Sequence, residues 1–202
     1  LTYTSFNKPK TATKGTTSDS FGYAPSRERI TKTSKVGTVT TSTTYVGKVY
    51  ERQNKSGSTV TEHKHYVAAG GTTVVVTQRS NNVNDIRYLH QDHLGSVNAI
   101  TNELGQVVER NAFDPWGARR QPNWKDATNV ITSLTTRGFT GHEHDDELGL
   151  INMNARMYDP KLGRFLQPDS YIQFPETTLG NCSCIALPRA SLHSKGLTVT
   201  PM

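Results

Sequence analysis

Apolar and polar positions along this chain alternate in short runs broken by turn residues. Gly37-Thr-Val-Thr-Thr-Ser-Thr-Thr-Tyr-Val46 is β-branched and loosely alternating. Gly47-Lys-Val-Tyr-Glu-Arg52 follows it, ahead of a turn at Asn54-Lys-Ser-Gly57. Runs of this kind suit a half-buried strand, in which every second side chain faces the same way. Thr59 to Val67 and Thr72 to Thr77 flank Gly70-Gly71, and a Gly-Gly pair between apolar runs predicts a tight hairpin. Asn81 to Asp85 is the next turn cluster. Ile86 to Leu94, Ser96 to Thr101 and Gln106 to Phe113 read as further strands, with a turn at Asn102-Glu-Leu-Gly105. Asp114-Pro-Trp-Gly117 places Pro second and Gly fourth, as a type I turn prefers. Residues 121–136 are polar and irregular and read as loop. One short helix is expected near residues 149–157. The fold class is therefore mainly all-β, built of stacked antiparallel hairpins.

Spacing adds a repeat. Tyr23, Tyr45, Tyr66, Tyr88 and Phe113 fall at intervals of 22, 21, 22 and 25 residues, each interval holding a turn signal. Periods of this order mark arrays whose units cannot bury a face alone and need their neighbours.

Composition makes a thick apolar core unexpected. Hydrophobic residues are 33% of the 202, against roughly 45–50% in globular domains by a count that includes Gly, and the mean hydropathy is -0.60. A broad sheet with one wet face fits better. No apolar run approaches the roughly 18 residues a spanning helix needs. The net charge of +6 is uneven: residues 1–87 carry +8, residues 88–176 carry -4 and residues 177–202 carry +2. A basic half can bind nucleic acid, but these basic residues are scattered and not clustered as a docking helix needs. The favoured reading is that basic and acidic faces meet within one assembly or are solvated, and no specific nucleic acid is expected. Cys182 and Cys184 are the chain's two cysteines. They stand too close for ordinary disulfide geometry, and they lack the second pair of a zinc signature.

Candidate chemistry is sparse. His142-Glu-His-Asp-Asp-Glu147 invites a metal reading, with His142, His144 and Asp145 as weak candidate ligands. The zincin spacing fails, because the position four after His142 is Asp146. A solvated polar turn is the preferred reading, with no metal and no cofactor expected. His90, Asp92 and His93 form a second cluster, read as satisfying backbone groups at a sheet turn. Asp114 and Asp159 each precede Pro; an aspartyl-protease pair would need a proximity that sequence cannot show. No nucleophile elbow, P-loop or dinucleotide fingerprint occurs. The chain is expected not to be an enzyme.

Several blocks together resemble the Rhs/YD-repeat family, specifically its Rhs repeat-associated core. They are Tyr88-Leu-His-Gln-Asp-His-Leu-Gly-Ser-Val97, Thr101 to Arg110, Phe113-Asp-Pro-Trp-Gly-Ala-Arg119, Phe139-Thr-Gly-His-Glu143, Glu147-Leu-Gly-Leu150 and Ala155-Arg-Met-Tyr-Asp-Pro-Lys-Leu-Gly-Arg-Phe-Leu166. The motif positions are Asp114, Pro115, Gly117, Gly141, Gly149, Leu150, Ala155, Arg156, Tyr158, Asp159, Pro160, Gly163, Arg164 and Phe165, with structural roles. The resemblance implies three segments. Residues 1–85 would be degenerate YD-type repeats, residues 86–170 the core, and residues 171–202 a divergent, poorly ordered tail. It implies part of a YD-repeat spiral or shell that encloses a C-terminal toxin domain for delivery to competing cells. The partners would be the remainder of the shell, that toxin domain, and a secretion-system spike or adaptor in the full-length parent. The implied location is bacterial, cytoplasmic before export and then secreted or at the cell surface. Family members that cleave themselves use a downstream aspartate pair, and Thr177 to Met202 holds no Asp, Glu or Tyr, so self-cleavage is not expected. Two other readings stay open: a small metal-dependent hydrolase or nuclease effector, and an extracellular YD-repeat binding or adhesion module.

Overall fold

The computed structural model describes residues 1–126 and 129–168. Its larger part is a ribbon of eleven antiparallel strands in which every strand pairs with its neighbours in sequence. The strands are β1 (Thr2–Tyr3), β2 (Pro9–Lys14), β3 (Thr17–Tyr23), β4 (Arg29–Val36), β5 (Val39–Val46) and β6 (Tyr50–Lys55). They continue as β7 (Thr61–Ala69), β8 (Thr72–Arg79), β9 (Asp85–Gln91), β10 (Val97–Thr101) and β11 (Val107–Arg110). A two-stranded hairpin follows, β12 (Ala112–Phe113) with β13 (Arg119–Arg120). A four-stranded cap sheet closes the described fold: β14 (Glu143–Asp145), β15 (Leu150–Met153), β16 (Arg156–Asp159) and β17 (Arg164–Phe165).

The aromatic spacing of 21–22 residues has a structural meaning. Tyr23, Tyr45, Tyr66 and Tyr88 lie on β3, β5, β7 and β9, so one period is one two-stranded unit. The turns follow local chemistry. Gly70 and Gly71 have φ of 57° and 81°, as the predicted hairpin between β7 and β8 requires. Asp92, Asn102 and Asp114 build the same turn three times. Each side-chain Oδ1 accepts the backbone N–H groups two and four residues on, at 2.8–3.0 Å. Each turn ends on a glycine of positive φ, at Gly95, Gly105 and Gly117. A side-chain acceptor followed by a left-handed glycine is the usual grammar of such turns.

One expectation is overturned. Residues 149–157 contain no helix: β15 and β16 form a hairpin through Asn154, whose φ is 58°. The reason is that the cap sheet is covered on both faces. Leu150 and Met157 pack with Ala12 and Phe21 of the ribbon, while Ile151 and Tyr158 pack with Phe139 and Phe165. Two-sided burial removes the alternation that marks a strand in sequence. Residues 121–136 follow the loop expectation in their described part, and Glu109 ties them down by accepting from Ser133 Oγ at 2.5 Å and from Leu134 N at 2.8 Å. The anticipated tail at 171–202, with Cys182 and Cys184, lies outside the described residues.

Candidate functional site: the cap-to-wall interface

The cap sheet lies on one face of the ribbon, and beside the apolar cluster of Ala12, Phe21, Leu150 and Met157 the contact between them is a network of buried charges. On β14, alternation turns Glu143 and Asp145 toward the ribbon and His144 the other way. Asp145 is fully buried and Lys32 is 6% exposed. Arg29 of β4 grips Asp145 in a bidentate fork, Nη1 to Oδ1 and Nη2 to Oδ2, both at 3.1 Å, and its Nη1 also donates to Glu143 Oε2 at 3.3 Å. Lys32 Nζ donates to Asp145 Oδ1 at 2.7 Å and lies 3.4 Å from Asp19 and 3.5 Å from Glu147. The Tyr45 hydroxyl donates to Glu143. Beside this group, Arg137 lies 3.6 Å from Glu51 and over the Tyr66 ring at 4.6 Å. Arg29 sits over Phe21 at 4.2 Å.

These pairings set the protonation states. Burial alone would raise the Asp145 carboxyl, but Arg29 and then Lys32 outweigh it and hold it down at about 2. Burial would likewise lower Lys32, and the surrounding carboxylates, Asp145 foremost, push it up instead. Asp19 and Glu51 run the other way. Burial raises both, and for Glu51 the nearby Glu143 adds to the rise. Burial, reinforced by Glu143, also keeps the Tyr45 phenol well above its ordinary value. The interface is therefore a charge-paired lock in which Asp145 stays ionised.

The candidate metal ligands are committed elsewhere and apart. Asp145 is held by Arg29 and Lys32. His144 faces the opposite layer, where its Nε2 accepts from Phe139 N at 3.0 Å and its ring meets Phe113 at 5.5 Å. His142 precedes the strand and bonds Thr140 Oγ1 through Nδ1 at 2.8 Å. Among the described residues no group of three or more His, Cys, Asp and Glu side chains is placed to hold a metal. In the other histidine cluster, Asp92 caps its turn and His90 Nε2 lies 3.0 Å from Thr101 Oγ1.

The motif residues act as turn and packing elements. Asp114, with Pro115 next to it, caps one Asp-Pro turn through Oδ1, and Asp159 caps the other by accepting from Lys161 N at 2.9 Å and Leu162 N at 3.2 Å. Pro160, within that turn, is buried. The two turns meet, because a Cβ on Gly163 would lie 3.2 Å from the Trp116 ring, and a Cβ on Gly117 would lie 2.6 Å from Phe139 Cδ1 of the neighbouring segment. Gly141 and Gly149 have φ of 70° and 73°, Ala155 completes the Asn154 turn, Leu150 is buried, and Arg164 is exposed at the start of β17. Arg156 lies over Phe165 at 3.7 Å, and Tyr158 meets Phe165 edge-on at 5.4 Å. Sequence reasoning singled out none of Arg29, Lys32, Asp19, Glu51 or Arg137, and Tyr45 entered it only as one of the repeat aromatics. The available signal was the opposite charge of the two halves, and Arg29 and Lys32 against Glu143 and Asp145 show that contrast meeting inside the fold.

Comparison with known proteins agrees with this architecture. Residues 71–181, more than half of the chain, match the teneurin YD-shell family. The chain belongs to that family. The salivary gland surface protein 1 of Aedes aegypti is 39% identical over 83 residues, 41% of this chain and 2% of the relative. The double-stranded DNA deaminase toxin A of Burkholderia cenocepacia is 33% identical over 84 residues, 42% of this chain and 6% of the relative. The chain thus spans a small fraction of the relatives it matches. In solved structures, the TcdB2-TccC3-Cdc42 complex superposes with a TM-score of 0.68 at 21% identity, over 84% of this chain and 9% of that one. The fold is that of a YD shell. The chain carries the Rhs-type repeat and core blocks of a shell fragment, with relatives among polymorphic toxins.

Proposed function

We propose that this chain is a wall-and-cap portion of an Rhs-type shell that encloses a C-terminal effector before delivery to competing cells, and that it performs no catalysis itself. In this reading residues 1–85 supply wall repeats and residues 86–170 the closing core. The carrying observation is the Arg29–Asp145–Lys32 lock. It commits the buried charges of Arg29, Lys32 and Asp145 to joining cap to ribbon, which is what a closed container needs. The relatives support the reading: a similar share of this chain matches a deaminase toxin and a surface protein, whose names describe different roles. Matches of this size to proteins of such different names are better explained by scaffold than by chemistry. The remaining shell and the effector are the expected partners, with a spike or adaptor serving export. Among the described residues no helix is long and apolar enough to cross a membrane.

Limited proteolysis of the full-length parent tests this. The C-terminal domain is expected to resist protease in the native protein and to become cleavable when Asp145→Ala opens the cap. A C-terminal domain digested equally fast in both proteins refutes enclosure. The Aedes aegypti relative keeps a second reading in play, that of an extracellular binding module, and binding of this chain to cells without any effector attached is its distinguishing result.

A further inference from the structure

At the junction of cap and ribbon, Lys32 Nζ faces three carboxylates: Asp145 at 2.7 Å, Asp19 at 3.4 Å and Glu147 at 3.5 Å. Arg29 faces Asp145 and Glu143. Two cations therefore stand against the four carboxylates Asp19, Glu143, Asp145 and Glu147. Three of the four find relief. Asp145 accepts from both cations, Glu143 accepts from Arg29 and Tyr45, and the Glu147 side chain is 37% exposed. Asp19 has neither donor nor solvent. Its side chain is fully buried, and neither oxygen receives a hydrogen bond. Ser34, its cross-strand neighbour on β4, is buried too, with its hydroxyl likewise unpartnered. On β2 the neighbour is Ala12, and Lys14 of that strand donates to the Leu148 carbonyl at 2.9 Å.

An ionised carboxylate in such a place is costly, and a proton removes the charge. Burial raises the Asp19 carboxyl accordingly and outweighs the opposing pull of Lys32. Position gives that proton a consequence. Lys32 lies between a carboxylate of the cap, Asp145, and a carboxyl of the ribbon, Asp19, one strand away. With Asp19 neutral, the ammonium is held by the cap. With Asp19 ionised, the ribbon competes for the same ammonium, and any lengthening of its contact with Asp145 weakens the attraction that seats the cap.

We infer that Asp19 is a proton-operated release built into the cap lock: it holds a proton while Lys32 grips the cap, and its ionisation draws Lys32 back to the ribbon and loosens the cap. The folded carboxyl stands above its unfolded value of roughly 3.9. Its contribution is therefore full below about pH 4 and is lost as pH rises through the folded value. This runs opposite to the acid loss at Asp145 and acts at higher pH. It concerns how the cap is held, and stands whether or not the shell encloses an effector.

The test follows thermal unfolding of the full chain and of Asp19→Asn and Asp19→Ala from about pH 4.5 to about pH 8.5, together with hydrogen exchange of the β14 and β15 amides. Each variant is compared with the native chain at the same pH, so titrations common to both cancel. Asp19→Asn should nearly match the native chain at the acid end and gain on it as pH rises. Its midpoint becomes the higher one, and its cap amides exchange more slowly by a factor that grows about tenfold per pH unit until the folded carboxyl itself ionises. Asp19→Ala should show the same trend from a lower start, because it also leaves a cavity. Glu147→Gln, which neutralises the partly exposed neighbour, should follow the native chain more closely. A midpoint of Asp19→Asn below the native one at the alkaline end, or a difference that does not change with pH, overturns the inference. So does failure of both Asp19 variants to fold at about pH 4.5, where the site is held to contain a neutral side chain. A gain in protection no larger for the cap amides than for those of β7 and β8 would rule out release of the cap.

Discussion

Between β7 and β10 the inner face of the ribbon is closed by Tyr66, Val75, Leu89, Val97 and Ile100, an apolar cluster made within the ribbon itself. Between β3 and β6 the same face presents Asp19, Lys32, Ser34, Thr43 and Glu51, all buried beside Phe21 and Tyr45, and is completed by the acidic strand of the cap. The contrast separates two jobs. Apolar burial is non-directional and tolerates small shifts in packing. A buried charge network tolerates none, since each group needs its partner at hydrogen-bond distance. Desolvation offsets much of the attraction in such a network, so its stronger effect is on where the cap docks and less on how stable the molecule is. The charged half fixes where the cap docks, and the apolar half packs the ribbon on itself.

The sharpest way to break that contrast is Asp145→Ala. It leaves Arg29 and Lys32 buried and unpaired and should cost about 3–5 kcal/mol in denaturant unfolding. Simultaneous replacement of Arg29, Lys32 and Asp145 by apolar residues of similar size should cost less than the single change. Ile100→Ala strikes the other half, where Ile100 has no exposure. A loss of about 2–4 kcal/mol is expected, with the same value at low and neutral pH.

Acid distinguishes the halves further. Asp145 is held at about 2 in the folded state, against roughly 3.9 when unfolded. Its folded pKa is depressed, so the stability it contributes is present above about pH 4 and is lost as pH falls through about 2. Asp19 and Glu51 are raised, so each contributes in the opposite sense, favouring the folded state as they take up protons. Urea titrations from pH 5 down to 2 should show the Asp145 decline in the native chain and its absence in Asp145→Asn. An unchanged acid slope in that variant would remove Asp145 as the controlling group.

Smaller effects fall at the turns. Gly117→Ala should cost about 1–3 kcal/mol by thermal unfolding, since φ is 96° and the added carbon would meet Phe139 and Ile151. Asp92→Ala removes the acceptor of two backbone N–H groups and should cost about 1 kcal/mol. Gly117→Ala should leave the acid profile unchanged, because Gly117 carries no titrating group and does not touch the lock.

The ribbon was largely legible in the sequence for a local reason. Gly70-Gly71 and the Asx-x-x-Gly turns dictate their own backbone, and a tyrosine on every second strand announces the two-stranded period. The cap was misread at residues 149–157 because Leu150, Ile151, Met157 and Tyr158 are buried on both faces, which erases the period of two. The candidate site was less legible still. His142, His144 and Asp145 are adjacent in sequence, yet His144 and Asp145 point to opposite layers. The partners of Asp145, by contrast, lie more than a hundred residues upstream.

Residue order alone settled that this chain makes turns and short strands, because φ preferences and alternation act over a few neighbours. It also placed an excess of positive charge early and of negative charge late. Which positive group meets which negative one was decided only when the cap folded back on the ribbon. Coulomb attraction and desolvation depend on distance and burial in space, and no spacing along the chain encodes the meeting of Arg29, Lys32 and Asp145.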